Sequence, residues 1–157
     1  MKPAVISEIK QELTTLPPKK LLELCLQLAK YKKDNKELMG YLLFEAHDIP
    51  AFVGSVKDEI DAQFTELPKA NWYLTKKSLR KILRLIGKYS RYTGENEPAI
   101  EWLIHFCTKI RSSSIPFQNN QVLINIYNQQ LKKINTLIDA LHEDLAFDYR
   151  KQLEKLY

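Results

Sequence analysis

The sequence predicts an all-α protein, and three observations support this prediction. Apolar residues recur every three or four positions along most of the chain, which is the period of an amphipathic helix. The 157 residues include only four glycines, a low number for a turn-rich β fold. Most of the seven prolines stand where a predicted helix begins, a position at which proline is tolerated. We therefore expect seven to eight helices in antiparallel hairpins, arranged as a short α-α superhelix or as an irregular helical bundle.

The predicted helix-turn-helix pairs, each of about 35–45 residues, resemble in their helix lengths the repeating units of HEAT-type α-solenoids. The likeness is one of length alone, because the chain has no strict internal repeat and no repeat signature. It favours a loosely HEAT-like superhelix as a fold class and implies no function.

Prolines and capping residues divide the first half of the chain into four predicted helices. Asp34 stands three residues before Glu37, which is the spacing of a capping box, so we expect Asp34 to cap the third helix. The fourth helix begins at Pro50 and has one apolar stripe and an acidic outer face. The four helices span about residues 3–13, 17–33, 34–44 and 50–67. The stripe is Phe52, Val53, Val56, Ile60 and Phe64, and the acids are Asp58, Glu59, Asp61 and Glu66.

The second half predicts three or four further helices. Gly94 is the expected C-terminal cap of the first of these, and Pro98 lies in the first turn of the next. The helices span about residues 75–92, 96–110 and 122–141, the last continuing to residue 157 with a bend near His142. The length suits a single domain over residues 1–157, with a sub-boundary at the polar 111–120 loop as the alternative.

The segment 75–92 has the most distinctive charge pattern, because it carries seven basic residues and no acid. The whole chain has a net charge of +5, so the remainder of the chain carries −2. At about 100° per residue the seven side chains fall in one sector of roughly 140°, opposite an apolar side. We call this sector the basic face, and its members are Lys76, Lys77, Arg80, Lys81, Arg84, Lys88 and Arg91.

A basic face suits an anionic partner, and the sequence leaves three alternatives open. The cations could neutralise the phosphates of a nucleic acid, with Tyr73, Tyr89 and Tyr92 as stacking partners. They could equally receive an acidic segment of another protein. Alternatively, the preceding helix packs antiparallel to the basic one, and its acids at 58–66 neutralise the face in surface ion pairs. The leading functional hypothesis is a binding or adaptor module that presents the basic face, and catalysis is the less favoured class.

We expect no cofactor and no metal, because no catalytic or cofactor motif is present. The alternative hypothesis is an enzyme with a metal-dependent site in the C-terminal polar cluster, where two carboxylates are four residues apart on one helix face. Glu101 and His105 are also four apart, but two ligands do not make a site. The C-terminal cluster consists of His142, Glu143, Asp144 and Asp148.

A third hypothesis is a homodimeric structural protein that pairs through the helix at 122–145. Its apolar residues have the 4-3-4-3-4 spacing of a coiled coil, although packing against the chain's own helices gives the same pattern. These residues are Tyr127, Leu131, Ile134, Ile138, Leu141 and Leu145.

The sequence predicts neither a secretory signal nor a membrane span. No apolar run approaches the ~20 residues needed to cross a bilayer, and the N-terminal segment lacks the continuous apolar core of a signal peptide. We therefore expect a cytoplasmic protein with no membrane partner. Cys25 and Cys107 both lie among apolar neighbours, so we expect two buried thiols.

Overall fold

The computed structural model describes residues 2–68 and 70–157, and these residues form eight α-helices and no β-strand. The all-α prediction is therefore confirmed, whereas the HEAT-like superhelix stays a prediction. The helices are α1 (Ile6–Thr15), α2 (Pro18–Tyr31), α3 (Lys33–Gly40), α4 (Ile49–Thr65), α5 (Trp72–Thr93), α6 (Asn96–Ser112), α7 (Gln121–Asp139) and α8 (Glu143–Glu154). A π-helical turn, Tyr41–Glu45, follows α3, and a 3-10 turn, Phe117–Asn119, precedes α7.

The chain divides into two compact units, an N-terminal unit that ends at Phe44 and a C-terminal unit formed by Glu45–Tyr157. The sub-boundary considered at the 111–120 loop does not coincide with this division. That loop connects α6 with α7, and these two helices pack extensively against each other within the C-terminal unit. Its polar composition marks a surface connection, since loops run over the surface whether or not they separate domains.

The N-terminal unit contains α1, α2 and α3 and buries very little. Helix α3 packs against α2, and the Asn35 side-chain amide donates a hydrogen bond of 2.8 Å to the Leu28 carbonyl. Tyr41 is the one buried residue among the described residues of this unit. The capping box predicted at Asp34 is wrong, because the extended backbone of Lys32 ends α2 and α3 begins directly after it. Asp34 therefore lies inside the first turn of α3.

The C-terminal unit is organised around α6, which packs against α4, α5, α7 and α8. A helix that contacts neighbours on most of its circumference must be apolar on most of it. The side chains of α6 that are almost completely buried are Ile100, Trp102, Leu103, Phe106, Cys107 and Ile110. The stripe predicted for α4 is confirmed, since all five of its residues are buried. Asp48 caps α4 by accepting a hydrogen bond of 3.0 Å from the Ala51 N–H.

Aromatic side chains join α4, α5 and α6. The Phe52 ring meets Trp102 edge-on at 5.9 Å between centroids and Tyr89 at 5.4 Å, geometries that aromatic pairs favour. The Trp102 indole N–H donates a buried hydrogen bond of 3.2 Å to the Val53 carbonyl of α4. These contacts fix the register between α4 and α6.

The apolar stripe of α7 packs inside the chain. Tyr127, Leu131, Ile134 and Ile138 are buried, and α7 packs against α6 and α8. The Tyr127 hydroxyl also donates a hydrogen bond of 2.7 Å to the Leu156 carbonyl beyond α8. A homodimer through these four residues would therefore require α7 to leave its own neighbours. The predicted continuation of this helix to residue 157 with a bend near His142 is wrong, because α7 ends at Asp139 and α8 begins as a separate helix at Glu143.

The two cysteines differ in their surroundings. Cys107 is buried in α6, and burial raises the pKa of its thiol to about 12. The prediction for Cys25 is wrong, because this side chain is exposed. Its apolar neighbours in α2 indicate a helix with an apolar face, and in the N-terminal unit that face is largely uncovered.

Substitution by alanine should have opposite effects on stability at two glycines, one at the end of a helix and one inside a helix. Gly94 ends α5 with a positive φ of 67°, where a Cβ is strained, so Gly94→Ala should lower the free energy of unfolding by about 1 kcal/mol. Gly54 lies within α4, and an added Cβ would meet no heavy atom within 4 Å. Gly54→Ala should raise the free energy of unfolding by about 0.5–1 kcal/mol. Urea denaturation measures both, and equal effects would contradict the assigned backbone conformations.

Candidate anion-binding surface

Helix α5 is held at both ends by local sequence signals. The Asn71 side chain accepts a hydrogen bond of 3.1 Å from the Leu74 N–H, which caps the N-terminus. At the C-terminus Gly94 adopts the left-handed conformation, and its N–H donates to the Ser90 carbonyl at 3.1 Å. The predicted C-terminal cap is thus confirmed. Between these caps lie 22 helical residues, a length of about 33 Å.

The basic face lies on the side of α5 that points away from the core. The buried residues of α5 are Thr75, Leu79, Ile82 and Ile86. These four fall on one side of the helix, and the basic sector lies opposite them at 100° per residue. Lys76 and Lys88 are half-buried. The other five members are exposed: Lys77, Arg80, Lys81, Arg84 and Arg91.

The five exposed cations carry no internal ion pair. Within the described parts of the chain, no carboxylate oxygen lies within 4.0 Å of their charged nitrogens. The two half-buried lysines contact aromatic rings: the Lys76 ammonium lies 5.2 Å from the Tyr73 ring centroid, and that of Lys88 lies 5.0 Å from the Tyr89 centroid. The charge of the exposed members is therefore available to solvent.

The third alternative required ion pairs between the acids of α4 and the basic face, and among the described residues none of the five exposed cations forms one. Asp61 binds two side chains of α6 instead: its carboxylate lies 2.6 Å from His105 Nε2 and 2.7 Å from Lys109 Nζ. Burial opposes ionisation of Asp61, but the hydrogen bonds from Lys109 and His105 outweigh it and lower the pKa of this carboxyl. Glu59 accepts a hydrogen bond of 3.2 Å from the Tyr89 hydroxyl. The spacing of His105 and Lys109 could have indicated this contact, because residues four apart lie on the same helix face and can bind one carboxylate together.

A groove of about 480 Å³ runs between α4 and α5 and was not predicted. Part of the basic face forms one wall, two acids stand on the other, and small or apolar side chains lie between them. The lining residues are Glu59, Ala62, Gln63 and Glu66 from α4, and Lys81, Arg84, Leu85 and Lys88 from α5. Where the basic face borders α4, its cations therefore lie near the acids Glu59 and Glu66. The cations on the side of the basic face away from α4 do not line this groove.

The three tyrosines proposed as stacking partners differ in accessibility. Tyr73 exposes 66% of its surface and lies within the basic sector at the N-terminal end of α5. Tyr89 and Tyr92 are half-buried, and Tyr89 also contacts the Phe52 and Trp102 rings. Tyr73 is therefore the most accessible of the three, and the Lys76 ammonium lies over one face of its ring.

The C-terminal polar cluster does not form a metal centre. His142, Glu143, Asp144 and Asp148 are all exposed, and His142 lies 3.7 Å from Asp144. Within residues 2–68 and 70–157, no group of three or more histidine, cysteine or acidic side chains is arranged to hold a metal ion. The metal-dependent enzyme hypothesis thus gains no geometric support.

Glu101 and His105 are held in ion pairs between helices. Glu101 binds Lys57 of α4 at 2.6 Å and accepts a hydrogen bond of 3.4 Å from the Tyr149 hydroxyl of α8. Burial, followed by the neighbouring charge of Glu101, raises the pKa of Tyr149 to about 12. Together with the Asp61–His105 contact, these bonds join α4, α6 and α8, which gives both residues a structural role.

Comparison of the chain with protein-family models, with curated proteins and with solved structures gave no match. In the parts of the chain that the structure describes, no helix combines the length and apolarity needed to cross a bilayer. The function must therefore be inferred from the chain's own residues, and the basic face is the strongest chemical feature among them.

The lowered pKa of Asp61 predicts an acid-dependent contribution to stability. Stabilisation by a carboxylate with a lowered folded-state pKa is present above its unfolded-state pKa, about 3.9, and is lost as pH falls through the folded-state value. Asp61→Asn should therefore reduce the free energy of unfolding at pH 7 by about 1 kcal/mol or less, since the pair is partly exposed. The difference should shrink as pH falls below about 3.9 and vanish once pH is below the folded-state pKa of Asp61.

Urea denaturation at pH 7, 5 and 3 measures this effect. Asp58→Asn is the matched control, because Asp58 is an exposed acid of the same helix with no ion pair among the described residues. A deficit in Asp61→Asn that persisted unchanged at the lowest pH would show that the carboxylate charge is not its cause.

Proposed function

We propose that this chain is a binding module and that the basic face of α5 binds the phosphates of a nucleic acid. The observation that carries the proposal is the set of five exposed cations that form no ion pair with any residue the structure describes. A cation that is already paired inside a protein gains little by binding a ligand. An unpaired cation that neutralises a phosphate releases a counterion that was condensed on the nucleic acid, and this release favours binding. A cytoplasmic location, as expected from the sequence, is compatible with this role.

The dimensions of the face favour an extended polyanion. Lys77 and Arg91 are 14 positions apart, which corresponds to about 21 Å along a helix with a rise of 1.5 Å per residue. Arg80 and Arg84 lie between them, so cations recur at intervals of about 4.5–6 Å over the first half of this length, with a step of about 10 Å from Arg84 to Arg91. A compact anion would engage one or two of these side chains, whereas a nucleic acid strand can engage most of them.

Tyr73 supports nucleic acid over other polyanions. Its exposed ring lies in the same sector as the cations, and stacking of a base on an aromatic side chain contributes about 1–3 kcal/mol. Arginine adds a planar guanidinium that binds phosphate through two parallel hydrogen bonds. We therefore assign the phosphates to the exposed cations and base stacking to Tyr73.

An acidic segment of another protein is the second candidate, and the groove between α4 and α5 favours it. Glu59 and Glu66 line this groove together with Lys81 and Arg84. Uniformly negative phosphates would be repelled by the two glutamates, whereas a protein segment with mixed charges could satisfy both walls. In this case the chain would act as an adaptor.

Binding of nucleic acid through the basic face predicts a steep salt dependence. Fluorescence anisotropy with labelled generic duplex DNA and with RNA should give a log–log slope of about −4 to −5 on a duplex if each of the five exposed cations contacts one phosphate. Arg80→Glu/Arg84→Glu should lower the affinity at least about tenfold and reduce the slope by about 2. Tyr73→Ala should weaken single-strand binding more than duplex binding, because duplex bases are already stacked.

The matched control is Lys132→Glu/Lys133→Glu, which makes the same change in net charge at two exposed positions of α7. Its affinity should remain close to that of the wild type. Absence of binding to DNA and RNA at low salt would contradict the nucleic-acid proposal. Binding of an acidic peptide that also carries basic residues by the wild type, and not by Arg80→Glu/Arg84→Glu, would then support the acidic protein partner.

A further inference from the structure

The N-terminal unit has far more exposed apolar surface than its size explains. Of the twenty large apolar side chains exposed among the described residues, thirteen lie before residue 45, in less than a third of the chain. A unit of about 40 residues is generally too small to build a stable core without additional support. This surface therefore requires a partner. The thirteen are Val5, Ile6, Ile9, Leu13, Leu22, Leu24, Leu26, Leu28, Tyr31, Leu38, Leu42, Leu43 and Phe44.

Helix α1 illustrates the requirement most clearly. Ile6, Ile9 and Leu13 follow each other at helical spacing and form one apolar stripe, yet Ile6 is 80% exposed. Within the N-terminal unit α1 has no extensive packing against α2 or α3. A helix of ten residues is marginal in water without tertiary contacts. The stripe of α1 therefore indicates a helix that is stabilised by an apolar surface outside this unit.

Helix α2 presents an even wider apolar face. At 100° per residue its apolar side chains cover an arc of about 200°, with Cys25 at the centre. Leu21 and Ala29 beside Cys25 are half-buried, while the leucines on both flanks remain exposed. The exposed flanks are Leu22 and Leu26 on one side and Leu24 and Leu28 on the other.

Helices α1 and α2 are joined by two residues with extended backbones, Leu16 and Pro17, whose ψ values are 142° and 152°. Helix α1 has no extensive packing against α2, so the two apolar faces do not cover each other. They are nevertheless complementary in charge. Helix α1 has one lysine and two glutamates, a net −1, whereas α2 has three lysines and one glutamate, a net +2.

We infer that α1 and α2 form a dimer interface in which α1 of each copy packs against α2 of a second copy. In a dimer with a two-fold axis, the acidic α1 of each copy would lie beside the basic α2 of the other copy. The same favourable pairing of charges would therefore occur twice in one symmetric interface. Nine exposed apolar residues of α1 and α2 and their flanks, at about 100 Å² each, supply on the order of 800–900 Å² per copy, as stable dimers require. The second copy is thus matched to this surface in area, apolarity and charge.

Sedimentation equilibrium or light scattering over a concentration series tests the interface directly. The wild-type chain should form a dimer, and Ile6→Glu and Leu28→Glu should each raise the dimer dissociation constant at least about tenfold. Phe147→Glu is the matched control, because Phe147 of α8 has the same exposure, 59%, as Leu28. Its dimerisation should equal that of the wild type. Circular dichroism identifies any variant that fails to fold.

Cys25 offers a second readout that needs no disruptive substitution. It lies at the centre of the apolar arc of α2, whereas Cys107 is buried and its raised thiol pKa keeps it unreactive. Maleimide labelling of the wild type should therefore report on Cys25, and its rate should fall as the protein concentration rises. In Leu28→Glu the fall in rate should move to protein concentrations at least about tenfold higher, and Cys25→Ser should remove the signal.

Two results would overturn the inference. One is a wild-type chain that remains monomeric at every concentration, which would assign the apolar face to another partner. The other is a dimer that neither Ile6→Glu nor Leu28→Glu weakens and in which Cys25 remains fully reactive. Such a dimer would use a different surface.

Discussion

The burial of α6 is the constraint on which the rest of the C-terminal unit depends. This helix contacts four others, and its large side chains, including Trp102 and Phe106, are almost completely removed from water. Each fully buried side chain of this size contributes about 1.5–3 kcal/mol through apolar burial. The Trp102 indole must also keep a hydrogen bond, which it makes to the Val53 carbonyl. The positions of α4, α5, α7 and α8 follow from the need to cover α6 on several sides.

The charge of the candidate site is a consequence of this packing. Because α4 lies against α6, Asp61 meets His105 and Lys109 of α6, and Lys57 meets Glu101. Asp61, one of the four acids on the outer face of α4, is thereby held by α6 and not by the basic face. This contact removes one acid that could have offset the charge excess of α5.

The sequence predicted those parts of the structure that depend on local signals. The stripe from Phe52 to Phe64 and the cap at Gly94 were predictable, because each follows from the spacing of residues within one helix or from one backbone conformation. The partner of Asp61, the exposure of Cys25 and the division after Phe44 were not predictable in this way. Each depends on which helices pack against each other. An amphipathic pattern shows that one face of a helix is apolar, but it does not identify the element that packs against that face.

The two units thus differ in how they satisfy their apolar faces, and the difference links the two inferred surfaces. The C-terminal unit encloses its apolar residues around α6 and leaves a charged helix exposed, whereas the N-terminal unit leaves α1 and α2 uncovered. Apolar association persists at salt concentrations that screen ionic contacts. Pairing through α1 and α2 would therefore be stable at salt concentrations that would weaken the proposed binding of an anion to the basic face. A dimer also carries two basic faces, so a polyanion long enough to engage both would bind more tightly than either face allows alone.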